Sequence, residues 1–188
     1  MKKTCLMICV ALALSACTPR VAEDNITIPE STPVPTPEPR AEELIGRYET
    51  TMIDMTQARI DNITLAASKI NGTVISSGDE FSFNGIVGVR SEQNGYQKAP
   101  IIVEDRKEEE VGGGICQLST TIYNAALAAG LDVTEHHTHT IEVPYIEKGK
   151  DATVDYGVMD LRIRNNRQHS VRYVVSVAGD KVLAEIWG

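Results

Sequence analysis

Apolar residues recur every three to four positions in two segments that follow a proline-rich stretch. In residues 41–55 they include Leu44 and Tyr48, and in residues 59–70 they include Ile63. This spacing gathers the apolar side chains on one face of a helix, so both segments are predicted helices. The second segment is followed by an asparagine and a glycine, which are typical of helix C-termini.

A third helix is predicted over residues 116–129. Leu118, Ile122 and Ala125 share one face of it, and Gly130 follows as its stop. This helix begins directly after three consecutive glycines, and its apolar face is the clearest of the three. It is therefore the predicted centre of the domain.

Most of the remaining apolar residues occur in short runs that predict strands. These runs are residues 74–75, 81–83, 101–103, 131–134, 141–143, 153–156, 161–164, 171–177 and 182–187. The sequence Ala178-Gly-Asp-Lys181 predicts a hairpin turn between the last two strands. Residues 84–96 are predicted to be a structured loop, and the charge run 104–110 a solvated hairpin tip. N-terminal helices, one central helix and antiparallel strands together predict a single α+β domain over residues 41–188.

The first forty residues have a different composition and predict a leader and a spacer. Residues 1–16 read as a signal peptide, with an apolar run too short to span a bilayer. The run ends in Leu14-Ser-Ala-Cys17, which resembles a bacterial lipobox. That resemblance implies an acylated Cys17 that anchors the protein at the extracytoplasmic face of the cell membrane. The alternative is plain cleavage that leaves Cys17 unmodified. Residues 17–40 are proline-rich and predict an extended spacer.

Charge and cysteine content narrow the classes of function. The formal net charge is −8, which argues against a nucleic-acid partner because such proteins cluster lysine and arginine. Of the four cysteines, Cys5 and Cys9 lie in the predicted signal and Cys17 at its cleavage point. Cys116 is then the one thiol of the domain, so no internal disulfide is expected.

The sequence Val111-Gly-Gly-Gly-Ile-Cys116 carries the clearest chemical signal. A helix N-terminus lowers the pKa of a cysteine placed there and presents free N–H groups. Those groups, with Gly113, Gly114 and Gln117, are candidates for an oxyanion site that would serve acyl transfer. The alternative is a small cysteine that packs at the helix start. We interpret Cys116 as a nucleophile.

A nucleophile of this kind needs a base, and Glu135-His-His-Thr-His-Thr140 supplies candidates. His137 and His139 fall on one face if this segment is extended, and either is suited to accept the thiol proton. The acid that orients the imidazole is left open among Asp151, Asp155, Asp160 and Glu135. A zinc site formed by Cys116, His137 and His139 is a rival interpretation, which the glycines before the cysteine disfavour.

Arg90 is a candidate for binding a substrate carboxylate through its planar guanidinium, with a surface ion pair as the alternative. Tyr145 and Tyr156 are interpreted as part of the core or of a groove wall.

Several motifs together resemble the VanW family over residues 59–175. They are Gly78-Asp-Glu-Phe-Ser-Phe-Asn84, Val87-Gly-Val-Arg-Ser91, Asn94-Gly-Tyr96, Gly112-Gly-Gly-Ile-Cys-Gln-Leu-Ser119, Tyr123-Asn-Ala125, Ala129-Gly-Leu131, His139, Asp151-Ala-Thr-Val154, Tyr156-Gly157 and Asp160. Where the family often has Glu-Arg-x-x-His-Ser, this chain has His136 and Thr140.

The resemblance implies work on the bacterial cell wall, since some members of the family are regarded as L,D-transpeptidases. It implies that Cys116 attacks a peptidoglycan stem peptide, that His139 is the base with His137 as the alternative, and that Asp151 orients it. Arg90, Ser119 and Tyr156 are then the candidate substrate-binding residues. No cofactor or metal is implied. A non-catalytic wall-binding lipoprotein and a cysteine peptidoglycan hydrolase are the alternative functions.

Overall fold

A computed structural model describes residues 41–103 and 106–188 of the chain, and the predicted signal, anchor and spacer lie outside them. The described residues form an α+β domain, as predicted. Its helices are α1 (Gln57–Ile70), α2 (Phe83–Val87) and α3 (Ile115–Ala128), with a 3-10 helix at Glu92–Asn94. Its strands are β1 (Leu44–Thr51), β2 (Val74–Ile75), β3 (Glu80–Ser82), β4 (Lys98–Val103), β5 (Arg106–Val111), β6 (Asp132–Glu135), β7 (Arg162–Arg164), β8 (Val171–Ala178) and β9 (Lys181–Trp187).

The core forms between two helices and one antiparallel sheet. The sheet has the strand order β1-β9-β8-β2, with α3 packed on β1 and β9 and α1 packed on β8. Ile63, Leu118, Ile122 and Ile186 are fully buried where these layers meet. A smaller sheet, β3-β7-β6, and the β4–β5 hairpin complete the domain. The hairpin leads directly into the glycines that precede α3.

The predicted helix over residues 41–55 is wrong, because this segment contains strand β1. The strand pairs antiparallel with β9 along its length, and it buries Gly46 and Thr50 against α3. A spacing of four residues fits one face of a strand as well as one face of a helix, so this spacing alone cannot distinguish the two structures. Gly46 decides the outcome, since a Cβ there would lie 2.4 Å from the Ala125 carbonyl oxygen.

Two of the predicted strands are also wrong, and the strand predicted over residues 81–83 ends one residue earlier than predicted. Residues 141–143 form no strand, and residues 153–156 contribute only an isolated bridge between Asp155 and Met159. Phe83 begins α2 instead of ending a strand, and α2 lies within the loop predicted for residues 84–96. Asn84, Thr153 and Val154 are hydrogen-bonded to side chains of other parts of the chain, which a local apolar pattern does not reveal.

The other elements agree with the sequence pattern to within a few residues. Helices α1 and α3 occur where predicted, and β8 and β9 form the predicted hairpin with Ala178 opposite Lys181. Most of the charge run lies in strand β5, which pairs with β4 as a hairpin. Glu108 and Glu109 are exposed there. The predicted tip of that hairpin includes residues 104 and 105, which lie outside the described residues.

Within residues 41–103 and 106–188, no helix combines the length and the apolar composition needed to cross a membrane.

We expect Gly46→Ala to lower the free energy of unfolding by about 1–3 kcal/mol, the usual cost of overpacking a core. The added methyl group would meet the backbone of α3, at the Ala129 nitrogen as well as at Ala125. Urea unfolding followed by circular dichroism measures the change. Glu49→Ala, on the exposed face of the same strand, is the control and should change stability by no more than about 0.5 kcal/mol. Equal effects of the two changes would contradict the packing of β1 on α3.

Candidate active site

The three glycines before α3 let the helix start deep in the domain. A Cβ at Gly113 would lie 2.6 Å from the Ala99 carbonyl oxygen of β4. Gly114 has φ 103°, and a Cβ there would lie 2.9 Å from Ile63 of α1. Close approach on two sides and a left-handed backbone both require glycine here. The result is that Cys116, the second residue of α3, sits at a helix N-terminus wedged between β4 and α1.

The backbone N–H groups around Cys116 differ in their availability. The N–H of Gly113 donates to the Glu110 carbonyl at 3.1 Å, and that of Gln117 donates to the Gly114 carbonyl at 3.0 Å. These two predicted oxyanion donors are therefore already engaged. The N–H groups of Gly114 and Cys116 have no acceptor within the described part of the chain. They are the donors that the fold leaves for an oxyanion.

The Gln117 side chain is buried and turned away from the sulfur. Its Oε1 accepts from Arg59 Nη2 at 2.8 Å, and its Nε2 donates to Thr50 Oγ1 at 3.1 Å. Gln117 thus joins α3 to α1 and β1. Its place in the motif is explained by this packing.

Polar side chains on one face of α3 bind the backbone of residues 150–152. Ser119 Oγ donates to the Ala152 carbonyl at 2.6 Å, and Thr120 Oγ1 accepts from the Ala152 N–H at 2.9 Å. One turn later, Asn124 Nδ2 donates to the Lys150 carbonyl at 2.8 Å. Ser119 is fully buried in this role. The structure therefore places this predicted substrate-binding residue beneath the site, where it holds a neighbouring segment.

This docking brings Asp151 and His139 to Cys116. The backbone N–H and Nδ1–H of His139 both donate to Asp151 Oδ2, at 2.6 and 2.7 Å. Nδ1 must be the donor because an ionised carboxylate only accepts. Nε2 of His139 is then the nitrogen left to interact with the thiol. Cys116 Sγ also lies 3.5 Å from Thr153 Oγ1 and 3.7 Å from the Val154 carbonyl oxygen.

The electrostatics of the three groups favour a charged pair. Burial raises the pKa of the Cys116 thiol, but hydrogen bonds to His139, Thr153 and the Val154 backbone outweigh burial and leave that pKa below its ordinary value. Burial lowers the pKa of His139, while Cys116 and Asp151 together raise it above its ordinary value. Burial raises the pKa of Asp151, and the two hydrogen bonds from His139 lower it overall. Thiolate, imidazolium and carboxylate are thus the mutually stabilised forms.

The other two histidines of the cluster face different partners. His137 Nε2 lies 3.1 Å from Glu135 Oε1, and its carbonyl accepts from the Thr153 N–H at 2.8 Å. His136 Nε2 donates to the Asp151 carbonyl at 2.7 Å, and its ring stacks on Tyr123. The chain beyond β6 is not a regular strand, so the predicted alternation of faces does not hold. His137 contacts Glu135 and is not brought to the thiol.

The geometry does not support the rival zinc site. Among the described residues, no group of three or more His, Cys, Asp or Glu side chains is arranged to hold a metal ion. His137, the third ligand of that site, directs its Nε2 at Glu135 instead.

A groove of about 1050 Å³ lies over Cys116. Arg90 and the half-exposed Tyr156 line it, as do His139 and Thr153. Exposed apolar side chains contribute to its walls; they are Ile53, Met55, Val89 and Tyr156. Such a groove suits an extended substrate that carries both apolar and charged groups.

Sequence reasoning gave no role at the site to two residues, Thr153 beside the sulfur and Tyr145 in the groove lining. Thr153 contacts the sulfur, and its only sequence signal was its place in the Asp151-Ala-Thr-Val motif. Tyr145 was read only as core or groove wall. Burial and the negative charges of Cys116 and Asp151 raise its pKa well above the ordinary value, which keeps its hydroxyl protonated. The same hydroxyl is hydrogen-bonded to Thr120 of α3.

We expect His139→Ala to raise the pH at which Cys116 becomes reactive. Alkylation by iodoacetamide requires the thiolate, so its rate in the wild type should rise with pH through a midpoint below the ordinary cysteine pKa of about 8.5. Loss of the His139 hydrogen bond and charge raises the thiol pKa, and each unit of that rise slows alkylation near neutral pH about tenfold. Mass spectrometry at a series of pH values measures both quantities.

His137→Ala is the matched control for this measurement, because it removes an imidazole two residues away that contacts Glu135. Its alkylation profile should coincide with the wild type. Coincidence of the His139→Ala profile with the wild type would refute the coupling between His139 and the thiol.

Comparison with known proteins identifies the family. The family model described as VanW like protein matches residues 58–187. Uncharacterized protein YoaR of Bacillus subtilis (strain 168) is 44% identical over 121 residues, which cover 64% of this chain and 40% of YoaR. Vancomycin B-type resistance protein VanW of Enterococcus faecalis (strain ATCC 700802 / V583) is 27% identical over 134 residues, 69% of this chain and 49% of that protein. The chain thus spans less than half the length of these relatives, and no solved structure matches it. Because the family model covers more than half of the chain, this protein belongs to the VanW family.

Proposed function

We propose that this protein is a cysteine-dependent acyl-transfer enzyme of the L,D-transpeptidase kind that acts on peptidoglycan stem peptides. The observation that carries the proposal is the Cys116–His139–Asp151 arrangement at the floor of an open groove. A nucleophile, an imidazole beside it and a carboxylate that orients the imidazole make up the minimal set for covalent acyl transfer. The vancomycin-resistance name of one relative favours a cell-wall substrate.

In the acylation step, the Cys116 thiolate attacks the carbonyl carbon of a stem-peptide amide. The carbonyl oxygen becomes an oxyanion, for which the free N–H groups of Gly114 and Cys116 are the available donors. The carbon–nitrogen bond then breaks, and His139 gives its Nε2 proton to the departing amine. The products are a thioester on Cys116 and a free amine. Asp151 holds the imidazole in the required tautomer throughout.

In the second step, an amine of a neighbouring stem attacks the thioester carbon. His139 accepts the proton that this amine loses, a new amide forms, and the Cys116 thiolate is regenerated. Attack by water instead would release a free carboxylate and make the protein a hydrolase. If the groove binds stem peptides without forming the thioester, the protein is an accessory wall-binding lipoprotein. These alternatives differ in product, so product analysis separates them.

The proposal also places the protein at a membrane surface. The lipobox-like segment that ends in Cys17 supports acylation of that cysteine, and the proline-rich spacer supports a distance between membrane and domain. An anchored acyltransferase of this design acts on the wall outside the cell membrane. Its catalytic residues, Cys116 and His139, would reach stem peptides that lie near the membrane.

We expect intact-protein mass spectrometry to detect a covalent adduct on Cys116. The wild type, incubated with a disaccharide-tetrapeptide or with a carbapenem, should gain the mass of the acyl group, and Cys116→Ala should gain none. His139→Ala should form the adduct at least about a hundredfold more slowly, since a positioned acid–base group contributes about 10²–10⁴-fold. His137→Ala, the control, should acylate at the wild-type rate.

The released products then identify the reaction. A crosslinked dimer whose formation needs Cys116 supports transpeptidation, and a trimmed monomer supports hydrolysis. A wild type that gains no mass from either compound, with a thiol inert to iodoacetamide at neutral pH, would overturn the proposal in favour of the wall-binding alternative.

We expect Cys17→Ser to move the protein from the membrane fraction to the soluble or secreted fraction, because serine cannot receive the thioether-linked lipid. Cell fractionation with immunodetection measures the shift. Cys9→Ser, within the predicted signal, is the control and should leave the protein in the membrane fraction. Retention of the Cys17→Ser protein at the membrane would show that Cys17 is not the anchor.

A further inference from the structure

Arg90 presents hydrogen-bond donors to the groove without a matching anion. Its Nη1 donates to Asn84 Oδ1 at 2.6 Å and contacts the Gly88 carbonyl at 3.3 Å. Both acceptors are uncharged, and in the described part of the chain Arg90 forms no ion pair with a carboxylate. Its Nε and Nη2 have no acceptor among these residues. The Nη1 side of the planar guanidinium is thus held by the protein, and the side formed by Nε and Nη2 is free to bind a ligand.

The guanidinium is fixed in place before any ligand binds. It lies over the Phe83 ring, 5.7 Å from the ring centroid. Asn84, which accepts from it, is itself held by donation to the carbonyls of Asp155 and Met159 at 3.1 and 2.8 Å. A pre-organised fork loses little conformational freedom when it binds, so more of the interaction appears as affinity.

The position of Arg90 ties its ligand to the nucleophile. A Cβ at Gly112 would lie 3.0 Å from Arg90 Cβ, so Arg90 packs directly on the glycine segment that leads to Cys116. Among the charges that act on Arg90, that of Cys116 has the largest effect, ahead of those of Tyr96, Asp155 and Asp160. Arg59, on the other side of the same segment, donates to Gln117 Oε1 and has its Nε buried, whereas the Nε and Nη2 of Arg90 are not buried. Of these two groove-lining arginines, Arg90 is the one placed to accept an anion beside the acylated carbon.

We propose that Arg90 binds the free α-carboxylate of the residue that leaves when Cys116 is acylated, so the site selects donors whose scissile amide precedes the last residue. This inference rests on the proposed function and specifies its donor. In such a donor the carboxylate lies within one residue of the attacked carbonyl, which matches the presence of Arg90 and Cys116 in the lining of one groove and the packing of Arg90 on Gly112. The planar fork suits a carboxylate because two parallel N–H groups meet two oxygens. The side chain acts as a specificity determinant that touches the leaving group.

The test compares two donors that differ only at the C-terminus. One is a tetrapeptide stem with a free terminal carboxylate, and the other is the same peptide as its carboxamide. With the full chain in detergent, we expect wild-type kcat/KM to favour the carboxylate by about ten- to hundredfold, the size expected for a pair of charge-assisted hydrogen bonds. Arg90→Gln should abolish this preference by slowing the carboxylate donor alone. Arg90→Lys, which keeps a charge without the fork, should retain part of it.

Controls separate recognition from folding and from chemistry. Arg47→Gln removes a guanidinium from exposed ion pairs on β1 and should leave the preference intact. Thermal unfolding checks that both Arg90 variants fold, and Arg90→Lys carries the test if Arg90→Gln does not. Calorimetric binding of both peptides to Cys116→Ala, with and without Arg90→Gln, measures selection without catalysis.

The outcomes distinguish the two proposals. Equal turnover of both donors by the wild type, or an unchanged preference in Arg90→Gln, overturns the carboxylate site and leaves acyl transfer standing. Selective binding that depends on Arg90, in a protein that never forms an adduct, supports the carboxylate site and overturns acyl transfer.

Discussion

The hydrogen bonds between one face of α3 and the backbone of residues 150–152 are the interactions on which the site depends. Three side chains of α3 make these bonds, and all three are buried: Ser119, Thr120 and Asn124. Each binds a main-chain group of that segment. A buried polar group that loses its partner costs about 1–3 kcal/mol, so these contacts fix the register of the segment tightly. That register in turn sets Asp151 beside His139.

The sequence predicted which residues lie together at Cys116 better than it predicted some of the elements around them. Helical periodicity located α3, and the glycines before it pointed to a cysteine at a helix start. The choice of His139 over His137, and of Asp151 among four acids, came from resemblance to a family. Spacing could not make that choice, because it depends on how an irregular segment docks on α3. The alternation of faces along an extended strand predicted that His137 and His139 share one face. The segment is not a regular strand, so this alternation does not apply to it.

The errors in the predicted elements have the same physical origin, and the packing of the glycine segment was likewise not visible in the sequence. Strand β1 has apolar and small residues at a period of four, which a helix and a strand both satisfy. Only its pairing with β9 and the close approach of Gly46 to α3 decide between them. Gly113 and Gln117 were assigned to an oxyanion site because of their place in the motif. Gly113 is needed for packing against Ala99, and both residues already have internal acceptors for their N–H groups.

One consequence concerns when the thiol acquires its reactivity. The groups that lower the pKa of Cys116 are His139, Thr153 and the Val154 backbone, all far along the chain from it. In the folded domain they lie beside the sulfur, next to the segment of residues 150–152 that Ser119, Thr120 and Asn124 bind. In the unfolded polypeptide Cys116 is therefore an ordinary, mostly protonated thiol. The lowered pKa of the Cys116 thiol is therefore a property of the folded domain, and a newly made chain lacks it until the segments that carry His139 and Thr153 have packed beside the sulfur.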